Sequence, residues 1–469
     1  MHTGSPLLPV SHGLDPFASP EAFDAELQDF LHQTSDLLCH WLADAARRSP
    51  LPTVRRQPEI APGLGGADSR QLLSDLQLVM EGAYQPSHPG ALAHLDPPPL
   101  TASIAAELIC AGLNNNLLAE ELSPGLSDLE RQLCRWFASR LGLPDSGGGV
   151  LATGGTLSNL MALLVARDRL PEGRGQQGVV LCSADAHVSL LKATRVMGLA
   201  ADGLQRLPVD DQGCMQSELL EQALQGLEHE GRPCIAVVAT AGTTVRGAVD
   251  PLAAIAAICR RSNVWLHVDA AIGGVFALAS STAALMDGIG LADSITLNPQ
   301  KLLGITKASS LLLLREPSLL GNSFATGLPY MESAVGDHHG GEAGLQGTRP
   351  AEILKLWLGL RQLGEAGIET LLQSALQRCR TLTHHLDADR LEVLGGSLHL
   401  LALRPKRRSS IDVDAWCETT RRMLLQQGFM LSRPHYDQSH CLKAVLGNPH
   451  TTELHLQQLA ALINASVDR

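Results

Sequence analysis

From Phe23 to Ala46 and again from Leu72 to Met80, apolar residues recur at the three-and-four spacing that lays a stripe along one face of a helix. The Pro/Gly-rich stretch Ser49–Gly66 separates these two predicted helices. Helical patterns return over Leu100–Asn114 and Leu126–Leu141, after which Ser146-Gly147-Gly148-Gly149 opens a different regime. Beyond it, short apolar runs alternate with helix-length patterns: Val179–Cys182, Ile235–Val238, Val264–Val268, Ile295–Leu297 and Leu311–Leu314. Strands apolar on both faces must be covered on both, so these runs predict a mostly parallel sheet with helices on either side, an α/β domain. After Gly347-Thr348-Arg349-Pro350 the pattern changes again. Helices are predicted over Ala351–Leu363 and Ile368–His385, strands over Leu391–Leu394 and Leu398–Leu403, a helix over Val413–Gln427 and a last strand over Leu442–Leu446. The chain thereby divides into a helical N-terminal segment (1–86), a large α/β domain (87–350) and a smaller α+β domain (351–469).

Composition narrows the class. At 469 residues, 45% hydrophobic and 18% charged, the chain can bury a sizeable core, more than one simple domain needs. Lys and Arg total 36 against 48 Asp and Glu, a net charge of −12 with no basic stripe, which argues against a nucleic-acid partner. The densest basic cluster, Arg404-Pro405-Lys406-Arg407-Arg408, reads as a solvated loop. Ten cysteines without a C-x-x-C pair fit core thiols in a reducing compartment better than a disulfide framework or a metal site. Met1–Pro20 holds no basic segment followed by an apolar one, and Ala270–Met286 is interrupted by Gly273, Gly274 and Ser280-Ser281-Thr282; neither a signal peptide nor a membrane span is expected, and the cytoplasm is the expected location.

Ligands on parallel sheets collect at the carboxyl ends of the strands, where Asp269 and Lys301 both fall. Asp269 follows an apolar run and should be buried, where a carboxylate without a partner is costly. Lys301 follows the Asn298-Pro299 turn, with Lys307 the competing amine. A lysine and a buried acid suit the two ends of a pyridoxal 5'-phosphate ring: the amine holds the aldehyde as an imine, and the acid keeps the ring nitrogen protonated, making the ring an electron sink. Thr153-Gly154-Gly155-Thr156 before a helical pattern could aim backbone N–H groups and a helix dipole at the phosphate, although Gly-Gly also serves as a bare tight connection. His187 could lie flat on the ring or be a satisfied structural residue. Thr243, closing another strand, could bond the cofactor or a carboxylate, or only build the strand-end turn.

In order and spacing, Thr153-Gly154-Gly155-Thr156, His187, Gly242-Thr243-Thr244, Asp269-Ala270-Ala271 and Asn298-Pro299-Gln300-Lys301 resemble the group II pyridoxal-phosphate amino-acid decarboxylases. That family includes enzymes acting on glutamate, cysteine sulfinate, aromatic amino acids and 2,4-diaminobutyrate. The resemblance runs from His88-Pro89 and Asn114-Asn115-Asn116 to Asn448-Pro449-His450-Thr451-Thr452. It implies the aspartate-aminotransferase type I fold with a seven-stranded sheet, and a homodimer with active sites at the interface. It places Gly155, Thr156 and Asn298 at the phosphate, His187 on the ring, Thr243 and Ala271 against the cofactor, Asp269 on the ring nitrogen and Lys301 as the imine. It further implies loss of carbon dioxide from a small L-amino acid through a quinonoid intermediate, giving an amine.

Three positions depart from the family's pattern. Gln300 stands where a histidine is usual before the lysine. The loop Gly336–Gly341 offers His338 or His339 where a tyrosine usually returns the proton, so an aldehyde-forming reaction is an alternative to amine formation. Lys443 stands where glutamate decarboxylases offer an arginine to the substrate carboxylate, keeping the charge but losing the two-pronged geometry. With few aromatics in the chain, an acidic substrate or 2,4-diaminobutyrate is favoured over an aromatic one. A cofactor-binding homologue without turnover is the non-catalytic alternative.

Overall fold

The computed structural model describes residues 14–52, 56–327, 339–406 and 411–467. Two helices lead, α1 (Ala25–Ala43) and α2 (Ser69–Glu81), each started by an aspartate, Asp24 and Asp68, whose carboxylate accepts a first-turn N–H at 2.8 Å. Trp41 Nε1 donates to Met80 O at 2.9 Å and joins them. Neither helix has a buried residue, and Leu72, Leu76 and Val79 form an exposed apolar stripe along α2. Helices α3 (Thr101–Leu113) and α4 (Pro124–Arg140) lead into the large domain.

In chain order that domain contains β1 (Gly148–Ala152), α5 (Gly155–Asp168), β2 (Val179–Ser183), α6 (Ser189–Val196), β3 (Leu204–Leu207), α7 (Ser217–His229), β4 (Cys234–Thr240), α8 (Leu252–Arg261), β5 (Trp265–Ala270), β6 (Ser294–Leu297), β7 (Ser310–Leu314) and α9 (Ser318–Phe324). The strands form one seven-stranded sheet in the order β1-β7-β6-β5-β4-β2-β3, parallel except for β7, which runs against both neighbours. Strands β2, β5, β6 and β7 are buried at every position, and separate apolar clusters lie on the two faces, as continuous hydrophobic runs require. Two strands escape the hydrophobic pattern. β1 begins with glycines because it presses on β7: a Cβ on Gly149 would sit 1.9 Å from Leu312 O. β3 is a partly exposed edge strand.

Helix α10 (Ile353–His385) is bent at Gly364 (φ 61°, ψ 176°), which divides it into the two predicted segments. The smaller sheet, β12-β9-β8, is antiparallel and built from β8 (Leu391–Gly395), β9 (Leu400–Pro405) and β12 (Leu442–Val445). Helix α11 (Val413–Gln426), the hairpin of β10 (His435–Tyr436) and β11 (Ser439–His440), and a final helix α12 (Glu453–Ser466) complete it. Sequence pattern missed α12 and the hairpin. It also misplaced Arg404, which is 1% exposed on β9 and ion-paired to Glu392 (2.7 Å) and Asp437 (3.1 Å) rather than solvated. Half of the ten free cysteines are buried; Cys39 is exposed. Among the described residues no helix is long and apolar enough to cross a membrane.

Candidate active site

Strand side chains alternate between faces, so His267 and Asp269, two apart on β5, turn to the same side, where α5 crosses the sheet. Asn159, one turn beyond Gly155 on α5, links them: its Nδ2 donates to Asp269 Oδ2 at 2.8 Å and its Oδ1 lies 3.1 Å from His267 Nε2. His267 Nδ1 meets Ser294 Oγ at 2.8 Å, and Ala271 N donates to the other Asp269 oxygen at 3.2 Å. Burial pushes the His267 imidazole down to about 4, opposed by Asp269. A neutral imidazole and an amide thus hold the carboxylate in place without neutralising its charge.

Asp269 and Lys301 line the same cavity, together with Gly155, Thr156, His187 and Asn298. Lys301 arrives there because β6 ends at Leu297 and a single helical turn over Pro299–Lys301 carries the chain across the strand ends. Burial lowers its ammonium pKa, against the opposing pull of Asp269 and Asp96. The His187 imidazole is likewise pushed down, mainly by burial, and its Nδ1 accepts Ser189 N at 3.2 Å. Thr240, Gly242, Thr244, Ala271 and Ile272 complete the wall. Gly242 has φ +112°, and a Cβ there would come within 2.9 Å of Ile272 and Leu398, so only glycine suits this turn.

The residues fit pyridoxal phosphate. At the start of α5 a Cβ on Gly155 would stand 3.3 Å from the Asn298 amide and 3.6 Å from Ala271 Cβ; the missing side chain leaves a helix N-terminus open to an anion. The Asn298 amide, with its nitrogen toward Ser310 Oγ (2.7 Å) and Leu297 O (3.2 Å), presents its oxygen to Gly155 N at 3.3 Å. Thr240 Oγ1 is buried on the cavity wall with no hydrogen-bond partner among the described residues, a polar atom ready for a bound group.

Other expected residues are placed differently. Thr243 is turned from the cavity, its hydroxyl accepting Ala248 N at 3.0 Å, so the strand-end turn is its place and Thr244 takes the wall. Lys307 is 58% exposed and pairs with Asp96 at 2.5 Å, leaving Lys301 as the amine in the cavity. Gln300 accepts the Ser309 N–H through its Oε1 and pins the loop. Lys443 is buried on β12, near enough to Lys301 for the two charges to oppose each other. His339 lines a different cavity beside Leu117, Glu130 and Arg349, and His338 lies outside the described residues. Asn159, His267 and Thr240 were missed, although the turn from Gly155 to Asn159 and the alternation from Asp269 to His267 carried a signal for the first two.

This sheet with its lysine and acid at the strand ends is that of a pyridoxal-phosphate enzyme. Residues 55–396 match the pyridoxal-dependent decarboxylase conserved domain, and the chain belongs to that family. It is 31% identical to L-2,4-diaminobutyrate decarboxylase of Acinetobacter baumannii, over 71% of this chain and 69% of that protein. It is 32% identical to human cysteine sulfinic acid decarboxylase, over 68% of this chain and 67% of that protein. Among solved structures, mouse CSAD in apo form superposes with a TM-score of 0.86 at 25% identity, covering 94% of this chain and 98% of that one. The Rhodiola rosea 4-hydroxyphenylacetaldehyde synthase shares the fold equally well (TM-score 0.86, 23% identity, 96% and 99% covered), so fold does not separate amine from aldehyde formation. The cofactor of the family is pyridoxal 5'-phosphate, and its class is the carboxy-lyases.

Proposed function

We propose that this chain removes the α-carboxylate of a small L-amino acid as carbon dioxide and releases the amine, with an acidic amino acid or 2,4-diaminobutyrate as substrate. The observation that carries the reading is the meeting of Lys301 and Asp269 in one cavity behind the Gly155 helix start. When bound, pyridoxal phosphate supplies an aldehyde that captures amines and a ring that accepts the electrons left behind by carbon dioxide.

Gly155, Thr156 and Asn298 hold the phosphate, and Ala271 leaves room for the ring. Asp269, fixed by Asn159, would keep a proton on the ring nitrogen, and His187 would stand beside the ring. Lys301, its ammonium pKa lowered by burial, would supply the amine that holds the cofactor's aldehyde. Lys443 holds the substrate carboxylate by charge, and the His338/His339 loop returns a proton to the α-carbon. His339 faces a different cavity from Lys301, so we assign the loop to the Lys301 site of a second copy, in a homodimer. Leu72, Leu76 and Val79 on α2 and Ile109 and Leu113 on α3 support a dimer, since they leave apolar surface exposed in the single chain.

The test is a product assay on the cofactor-loaded protein across the amino acids, following carbon dioxide, amine, aldehyde and hydrogen peroxide. Carbon dioxide and amine in equal amounts are expected; aldehyde with peroxide would replace the reading, and no carbon dioxide at all would end it. Mixing Lys301→Ala chains with His338→Ala/His339→Ala chains should restore turnover that neither has alone, and no restoration would remove the shared-site assignment.

A further inference from the structure

We propose that Asp96 selects the substrate side chain, favouring a short α-amino acid whose side chain ends in an ammonium group, as 2,4-diaminobutyrate does; this rests on the decarboxylase reading above.

The segment carrying Asp96 is stitched to both sides of the site. Val445 N, at the end of β12, donates to Leu92 O at 2.7 Å, and Leu100 N donates to Gly304 O at 2.7 Å. Residues 93–99 therefore bridge from the strand bearing Lys443 to the loop bearing Lys301 and Lys307. Within that bridge the Asp96 carboxylate is two-thirds covered and holds Lys307 Nζ at 2.5 Å, while the Lys307 side chain is 58% exposed. The field of Asp96 reaches both Lys301 and Lys443, raising the two ammonium pKa values against burial.

A substrate with its α-carboxylate at Lys443 and its amine at Lys301 would extend its side chain along this bridge. There it meets Asp96 and His94, whose imidazole burial keeps below its ordinary pKa and so neutral at pH 7. Lys443 makes no ion pair among the described residues, which leaves it free for the α-carboxylate. Arg421, the further cation beside His94, spends its Nε on Leu431 O at 3.0 Å. The contact between Lys307 and Asp96 is already a primary ammonium on a carboxylate. Because it is half-exposed it holds weakly, and the ammonium of a substrate side chain can replace it with the same chemistry. A distal carboxylate or sulfinate would face the like charge of Asp96.

The test uses the loaded enzyme and four substrates: L-2,4-diaminobutyrate, L-2-aminobutyrate of equal length without the charge, L-glutamate and L-cysteine sulfinate. Wild type should favour diaminobutyrate over 2-aminobutyrate at least tenfold in kcat/KM, and Asp96→Asn should reduce that ratio at least tenfold, mainly through KM. Absorbance titration should show the same loss in Kd for diaminobutyrate. Lys307→Met, which removes the competing ammonium, should lower the diaminobutyrate KM and guards against misfolding of the Asp96 variant. A wild-type preference for the acidic substrates, or a ratio unchanged in Asp96→Asn, overturns the proposal while leaving the decarboxylase reading intact. Carbon dioxide from none of the four or any other amino acid overturns both.

Discussion

Lys301 and Asp269 could be named from the chain alone because Asp269 lies near the end of the hydrophobic run of β5 and Lys301 in the turn just past β6, and such strand ends converge in a parallel sheet. Asn159 and Asp96 were not, because their meaning depends on what they face across the fold: Asn159 becomes informative only with Asp269 at 2.8 Å, and Asp96 only with Lys307 and the two buried lysines around it. His399, just before β9, is fully buried with neither ring nitrogen bonded among the described residues, and its pKa is pushed down to about 3 by burial, with Arg378 adding to it. Its folded pKa is depressed below the ordinary value of 6.5, so the unfolded chain binds more protons between those two values. The stability that the neutral ring allows is present above about pH 6.5 and falls as the medium is acidified toward the folded value. His399→Leu should therefore lose about 2 kcal/mol less stability than wild type between about pH 7 and about pH 5, read from urea unfolding at both. Equal losses in the two proteins would show that His399 does not titrate on unfolding.

Elements were legible where periodicity was strong and illegible where geometry replaced it. The five short apolar runs became strands of the large sheet, and the two-part reading of α10 matches its bend at Gly364. β1 escaped because close approach to β7 demands glycine instead of a branched side chain. Thr243 was ambiguous for a related reason, since a Gly-Thr-Thr turn looks the same whether its hydroxyl faces a ligand or its own backbone. One contact holds α4 to the segment before α10: Arg349 grips Glu130 through two bonds of 2.6 and 2.7 Å, with both side chains 6% exposed. Leaving that guanidinium buried alone should cost about 3–5 kcal/mol, so Glu130→Ala should lower the urea midpoint accordingly. A change within about 0.5 kcal/mol, the range of an ordinary surface substitution, would mean the pair is not buried in solution.

At the scale of the whole molecule, two features of a single chain are incomplete. Helix α2 carries an apolar stripe left exposed among the described residues, and His339 lines a cavity away from Lys301. The homodimer proposed above would account for both. No pattern in one sequence reveals this, because a surface waiting for its own copy has the same periodicity as one packed within the chain. The large domain carries Asp269 and Lys301 in one cavity, and the Leu92–Leu100 bridge joins the loop after Lys301 to β12, which carries Lys443. Of Lys301, Lys307 and Lys443, only Lys301 lines the cavity, and it is the amine expected to take the aldehyde. Reduction of the cofactor-loaded protein with borohydride, followed by peptide mass mapping, identifies that amine directly. The pyridoxyl group is predicted on Lys301; finding it on Lys307 or Lys443, or on no lysine, would contradict the account.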